Sequence, residues 1–564
     1  MLNRQARRIH PTGRSALLVD CDGIEDVLSL HTALSEDPLR GQLELIPAAS
    51  TLLVRFRCPL SPAEQRAYVR HLSSMPGKEG LTVGASVVEI PVEYSGEDLD
   101  DVARHVGASV EEVVRRHSET TWRAAFSGFS PGFAYLVAAE GEAPLTVPRR
   151  SSPRTRVPAG SVGLAGEFSA VYPSASPGGW QLIGTTDAGV WDLERDVPAL
   201  ITPGTTVRFC PRRESVTVRD EADASRDIVP GEDHHPTENR TAAPDEDKDG
   251  ASDALRIDSP GLATLVQDRG RQGHTGWGVS PSGWGVSPSG WADPAAAESA
   301  NRLVGNDLSE AVLENTAGQL SVTALRDVVL AVTGAEGDLR IRDSDAAVRV
   351  PGNRPFALLA GQRLTIGSPD RGLRFYLAVR GGIRTPPVLG SSATDTLASL
   401  GPKPLAKNDV VRCGHQPRRS VDSPASGVGL PLGREVTDIR ISPGPRLDWF
   451  TSASVRKLAE TTWNVTEASN RVGARLARWS PAPEAGELPS PLERTAEAEG
   501  RELPSEGIVE GAVQVPPSGN PVIFMADHPV TGGYPVIGIV EPDHLRLLAQ
   551  APPGSLIRLV LDAS

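Results

Sequence analysis

Short apolar runs alternating with polar positions fill most of this chain, and helical spacing is confined to a few windows. Residues 16–19, 43–46 and 52–56 read as strands. Residues 24–34 repeat apolar positions at helical spacing, and Pro62 opens a second helix to about residue 74, where the missing N–H of a proline is tolerated. Residues 83–92 read as extended. The order βαββαβ predicts a small ferredoxin-like unit over residues 15–92. Residues 98–119 are predicted helical, with Ser109 and Glu112 spaced as a capping box.

The helical signal then fades until about residue 290. Short apolar segments alternate with Gly/Pro turns, as in Val157-Pro158-Ala159-Gly160-Ser161 and Ser176-Pro177-Gly178-Gly179-Trp180. That punctuation predicts a β-barrel or sandwich over residues 93–218. A second module spans residues 255–564. It opens with an exact tandem repeat, Gly-Trp-Gly-Val-Ser-Pro-Ser at 276–282 and again at 283–289, too short for a solenoid unit. Asp293-Pro294 is an N-cap followed by proline, starting a helix to about residue 304. Strand-like segments run on to about residue 411. Helices are predicted over 447–460 and 542–550, with strands over 509–524. The fold class is α+β, mostly β.

Charge sharpens one boundary. The net charge is −14, but residues 220–253 hold 12 acids against Arg226, Arg240 and Lys248. With almost no large apolar side chains, residues 219–254 are predicted to be a flexible acidic linker. The 564 residues exceed what one core can serve, so several domains are expected. No basic face interleaved with aromatics points to nucleic acid. The four cysteines are scattered without a CxxC pair, which argues against a disulfide framework or a cysteine-based metal site. No run approaches a membrane span, and the expected location is cytoplasmic.

The chemistry concentrates in two loops. Phe126 to Leu136 packs three Phe, one Tyr, two Gly and a Pro into eleven residues of a chain that is 4% aromatic. Asp527 to Pro535, Asp-His-Pro-Val-Thr-Gly-Gly-Tyr-Pro, joins an acid, a hydroxyl and a phenol to a double glycine that permits close backbone approach. The chain has no P-loop, no GxSxG elbow and no HExxH. Its few lysines include none in a Met-Lys-Met setting for biotin.

These loops belong to longer series of motifs. In the first half they include His117-Ser118, Gly128-Phe129-Ser130-Pro131-Gly132-Phe133, Pro148-Arg149-Arg150, Pro153-Arg154 and Gly178-Gly179-Trp180. In the second they include Gln267-Asp268-Arg269-Gly270-Arg271, Ala300-Asn301, Gly444-Pro445-Arg446, Asn470-Arg471-Val472-Gly473, Gln514 and Thr531-Gly532-Gly533-Tyr534-Pro535. Residues 15–215 resemble allophanate hydrolase subunit 1, also known as the 5-oxoprolinase B subunit. Residues 255–562 resemble allophanate hydrolase subunit 2, also known as the 5-oxoprolinase C subunit. The resemblance implies cyclophilin-like β-barrels. It implies a component of an ATP-dependent 5-oxoprolinase, which opens a lactam to glutamate with a separate A subunit and is inactive alone. It also implies an alternative, a carboxyltransferase of urea carboxylase type using carboxybiotin. A third reading, a regulator of a sensor histidine kinase, comes from first-half modules of this kind. ATP with Mg is the implied co-substrate; partners are the A subunit and a small amide or lactam, with oligomers allowed.

On that resemblance His117, Asp527 and Tyr534 are the expected catalytic groups. Phe129, Gly132, Arg150, Arg154, Ser161, Gly179, Gln267, Asn301, Arg471, Gln514, Thr531, Gly532 and Gly533 are the expected substrate contacts. Turn amides would serve a developing oxyanion, and arginines a carboxylate or phosphate. Two departures bear on the site. Pro529 and Val530 replace an amide and a hydroxyl of the family's loop, and the 276–291 segment is lengthened by the repeat.

Overall fold

The computed structural model describes residues 7–75, 87–139, 141–142, 145–150, 152, 154–212, 250–271, 281–343, 346–415, 419–423, 435–481 and 491–561. Most of the expected linker and of the first repeat copy lie outside the described residues.

The first sheet runs Ile9–Pro11, Ala16–Asp20, Thr51–Phe56, Gln42–Pro47, each neighbour antiparallel to the next. Both of its faces are buried, which explains why its strands read as nearly unbroken apolar runs. Leu17, Val19, Leu52 and Val54 pack with Leu30, Leu34 and Leu72 of helices Ile24–Glu36 and Pro62–Ser74. Ala16, Leu18, Ile46 and Leu53, one residue out of phase, pack instead on Val530 of the second half. Pro62–Ser74 carries a complete capping box between Ser61 and Glu64.

The expected strand over 83–92 does not complete this sheet. Val87–Val92 pairs in parallel with Thr206–Pro211 in the next sheet, and Ile9–Pro11 takes the edge beside Ala16–Asp20. The edge goes to the segment a short turn away, where Thr12 N donates to Ala16 O at 2.9 Å, because closing a short loop costs less entropy than recruiting a distant strand.

The second sheet has seven strands, ordered Gln181–Thr185, Ser161–Ala165, Phe168–Val171, Ala134–Ala138, Trp122–Ser127, Thr206–Pro211, Val87–Val92. A bridge between Glu93 and Thr185 draws its two edges together into a barrel. The helical stretch expected over 98–119 is two helices, Leu99–Val106 and Val110–Glu119, parted at left-handed Gly107. Ser109 caps the second by accepting from Glu112 N at 3.2 Å.

The second half holds a ten-stranded sheet with two long central strands, Val328–Arg342 and Arg363–Val379, followed by a closed seven-stranded barrel between Thr437–Pro443 and Leu556–Leu561. Helix Pro294–Val304 begins as expected, with the Asp293 carboxylate accepting from Ala296 N at 3.1 Å. The helix expected over 447–460 is a 3₁₀ turn, Leu447–Trp449, then helix Ser452–Glu460. Among the described residues no helix is long and apolar enough to cross a membrane.

Candidate active site at the seam between the halves

The two loops singled out in the sequence meet. A methyl group on Gly128 would stand 2.2 Å from the Thr531 hydroxyl, so only glycine allows this approach. The Tyr135 hydroxyl lies within hydrogen-bonding reach of Ser505 and Thr531, and burial raises its pKa above the ordinary phenol value. Phe129 holds a left-handed backbone, φ 67°, which a bulky side chain seldom adopts. Its ring stands edge-on to Phe133 and Tyr172 at 5.3 and 6.4 Å.

The second repeat copy forms the other wall. Trp284 is fully buried beside Val286, Leu400 and Ala199, and its carbonyl accepts from Gly132 N at 2.8 Å. Ser289 of the same copy donates to Asp527 Oδ1 at 2.6 Å. The seam is pinned at a second point, where Arg446 donates to Asp20 of the first half at 2.7 Å and to Glu506. Against the effect of burial, His10 and Arg446 hold the Asp20 carboxyl down at about 2.

Two carboxylates lie at the centre of the second half's contribution. Asp527 is fully buried and saturated. Its oxygens accept from Arg471 Nε and Nη2 at 3.0 Å each, from Ser289, from Thr396 N at 2.9 Å and from Thr396 Oγ1 at 2.6 Å. Burial opposes that charge, but Arg471 and the hydroxyls outweigh it and keep the carboxyl below its ordinary value. Arg471 also pairs with Glu314, which accepts from Ala292 N and from Tyr376 Oη at 3.0 Å each. Asp395 differs: burial and the neighbouring Asp527 push its carboxyl up to about 6.

Comparison with known proteins places this architecture. Residues 7–201 match the model for carboxyltransferase domain subdomains C and D, and residues 284–561 match that for subdomains A and B. The second half is 38% identical over 309 residues to the 5-oxoprolinase C subunit of Escherichia coli K12, covering 54% of this chain and 90% of the relative. The first half is 44% identical over 177 residues to the 5-oxoprolinase B subunit of Escherichia coli O157:H7, covering 31% of this chain and 80% of the relative. The chain belongs to this carboxyltransferase-domain family. The crystal structure of TTHA0988 superposes with a TM-score of 0.74 at 31% identity, covering 97% of this chain and 99% of that one. Urea amidolyase of Saccharomyces cerevisiae is 30% identical over 323 residues, 54% of this chain and 16% of the larger enzyme.

Within this family member the expected site residues divide. Phe129, Gly132, Thr531, Gln267, Arg471 and Asp527 come together along the seam and behind it. Gln514 is buried and supports the loop by donating to Tyr534 O at 3.0 Å, and Gly532 pairs with Glu506 beneath it. Gly533 follows in the same turn. Tyr534 itself is 46% exposed, and its phenol makes no hydrogen bond among the described residues.

Other expected residues are engaged by neighbours within their own halves. His117 is fully buried, with Nδ1 against Tyr94 Oη at 2.8 Å and Nε2 against Ser169 Oγ at 2.9 Å. Burial pushes its imidazole down to about 3, and both ring nitrogens are engaged by neighbours. Arg150 and Arg154 clamp Asp98, the latter at 2.9 Å. Gly179 supplies a carbonyl to Arg150 N at 2.8 Å. Ser161 opens a buried strand. Asn301 donates to Glu310 O at 2.7 Å and accepts from Asn306 at 3.0 Å, tying a helix end to the loop after it.

Three groups escaped the sequence reading. Arg271 stands in a family motif but was not singled out from it, and Asp395 sits in a turn without any motif. His528 lies beside Asp527, donates Nδ1–H to Pro529 O at 2.8 Å, and is lowered to about 4 by burial.

Proposed function

We propose that this chain is the fused B–C component of an ATP-dependent 5-oxoprolinase, opening the 5-oxoproline lactam to glutamate with a separate A subunit. The observation that carries the reading is the Gly128–Thr531 approach. The first half is similar to proteins named as the B component of 5-oxoprolinase and the second to one named as its C component, and their loops close on each other in one chain. A site built from both halves explains why they are fused.

The lactam carbonyl is a poor electrophile, so its opening needs donors aimed at the oxygen and a group to manage the ring nitrogen's proton. The Thr531 and Tyr135 hydroxyls and the cations behind the seam supply such donors. ATP with Mg would activate the carbonyl. Arg8, Arg14 and Arg456 face two adjoining clefts of 590 and 580 Å³ that meet at His10 and Gly444, and they suit its phosphates. The chain alone is expected to be inactive.

One observation favours a second reading. The matched subdomains are named for carboxyltransfer, and a stretch of urea amidolyase is similar to 54% of this chain. Under it, carboxybiotin on a separate carrier would deliver CO₂ to urea at the same seam.

The test is glutamate release from 5-oxoproline and ATP by the purified chain, with and without the A-like subunit of the same genome. Glutamate in the mixture alone is the expected result. A stable complex that releases none, yet carboxylates urea with carboxybiotin, would transfer the assignment to the second reading.

A further inference from the structure

Behind the seam, three buried side chains of the second half leave bonding capacity unused. Gln267 is fully buried and Arg271 is 3% exposed. Among the described residues, Gln267 Oε1 and Arg271 Nε and Nη1 have no hydrogen-bond partner. Asp395 commits one oxygen to the amides of Leu397 and Ala398, at 2.9 and 2.8 Å, and its other oxygen has only a 3.5 Å contact from Ser287 Oγ. One backbone turn gathers all three. Arg271 Nη2 donates to Ala393 O and Gln267 Nε2 to Thr394 O, each at 2.7 Å, and Asp395 comes next in the chain.

Buried polar groups normally find partners, and opposite charges this near would normally pair. Arg271 feels the charges of Asp395, Asp268 and Asp527. Among the described residues, however, no hydrogen bond or ion pair joins it to any of them. Each group is tethered by its other end, Arg271 and Gln267 to carbonyls and Asp395 to amides. The unused capacity is two donor nitrogens on Arg271 and acceptor oxygens on Gln267 and Asp395, all attached to one turn.

The complement of that arrangement is a small group presenting an acceptor oxygen and an N–H on adjacent atoms. A carboxylate would meet Asp395, and a bare cation would meet Arg271. A ketone or ester would leave both acceptors unmet, whereas an amide supplies the acceptor oxygen and an N–H that the two acceptors share.

We propose that Gln267, Arg271 and Asp395 form the seat for the substrate's amide, with Arg271 donating to its carbonyl oxygen and Asp395 and Gln267 accepting from its N–H. The choice of a lactam as the amide rests on the function proposed above. Asp395 accepts in its charged form, and its surroundings are Arg271, Asp268, Asp527 and Ser287. Because its carboxyl is pushed up to about 6, amide binding weakens as pH falls below that value.

Calorimetric titration of the full chain with 2-pyrrolidone, 5-oxoproline, urea and γ-butyrolactone tests the seat. The lactone keeps the ring and carbonyl of 2-pyrrolidone but lacks the N–H. The expected result is that at least one amide binds at pH 8, that the lactone binds at least tenfold more weakly than 2-pyrrolidone, and that Asp395→Leu erases this difference. Arg271→Met should weaken both rings tenfold or more. Should either variant fail to fold, Gln267→Leu carries the same lactam–lactone comparison. Equal affinity for lactam and lactone in the unsubstituted chain, or no amide binding at all, overturns the proposal. Amide binding without glutamate release from the assembled complex would leave this seat intact and overturn the function instead. Glutamate release with lactam–lactone discrimination unaffected by these substitutions would do the reverse.

Discussion

Asp527 and Asp395 are neighbouring buried carboxylates, linked through Thr396, yet their surroundings differ. Asp527 accepts from five donors on Arg471, Ser289 and Thr396. A carboxylate so occupied has no lone pair left for a substrate proton. It orders the loop that reaches Thr531 and Gly128. Asp395 has one oxygen nearly free, and its charge is disfavoured by burial and by Asp527. Two like groups in such different environments suit two roles, one holding the loop in order and one left to accept from the amide proposed above. The residue nominated from sequence is the holder.

Breaking the holder should have the largest effect. Arg471→Met leaves Asp527 buried without its cation and Glu314 with Arg374 alone at 3.6 Å, and removing one partner of a buried ion pair destabilises by about 3–5 kcal/mol. Denaturant unfolding should show that loss, and an unchanged midpoint would refute the hub. Next is the seam. Gly128→Ala forces a methyl against the Thr531 hydroxyl and should cost about 1–3 kcal/mol of overpacking. Thr531→Ala in the same chain should return most of it, and strictly additive effects would show that the loops are not in contact.

His117→Gln separates core from site. It should lower stability by about 1–3 kcal/mol through lost packing and hydrogen bonds, with turnover per folded chain unchanged. A fall in kcat at full folding would restore His117 to the chemistry. A further check is the pH dependence of stability. His117 and His528 are lowered to about 3 and 4, so the folded state binds fewer protons than the unfolded chain between pH 6.5 and those values. Their contribution is present above pH 6.5 and is lost as pH falls through that window. Asp395 has the opposite sign, its raised carboxyl gaining stability as pH falls through about 6. Asp395→Asn should therefore melt at or above the unsubstituted chain at pH 8, with the gap closing below pH 6.

Much of this was legible in the sequence. Short, nearly unbroken apolar runs marked the strands of the first sheet, and the aromatic–glycine loop and the Gly532-Gly533 loop were marked by composition alone. Which strand fills an edge was not legible, because Ile9–Pro11 carries no apolar signal that outranks residues 83–92. Nor was the role of Val530, a departure from the family's hydroxyl. Its value appears only when Leu18, Ile46 and Leu53 of the other half close over it. Saturation is likewise invisible in a motif. Asp527 and Asp395 differ through Ser289, Thr396 and Arg471, residues far apart in the chain. His117 in a motif could not be told from a core histidine until Tyr94 and Ser169 were placed against its ring.

The most direct test compares Asp395→Asn with the unsubstituted chain, each assembled with the A-like subunit, for melting temperature and for glutamate formed per folded chain at pH 8. The account predicts a melting temperature at least as high and a rate lower by about tenfold or more, as expected when a charged acceptor for the substrate's N–H is removed. Glutamate formation within a few-fold of the unsubstituted chain would contradict it and return the chemistry to another group on the seam.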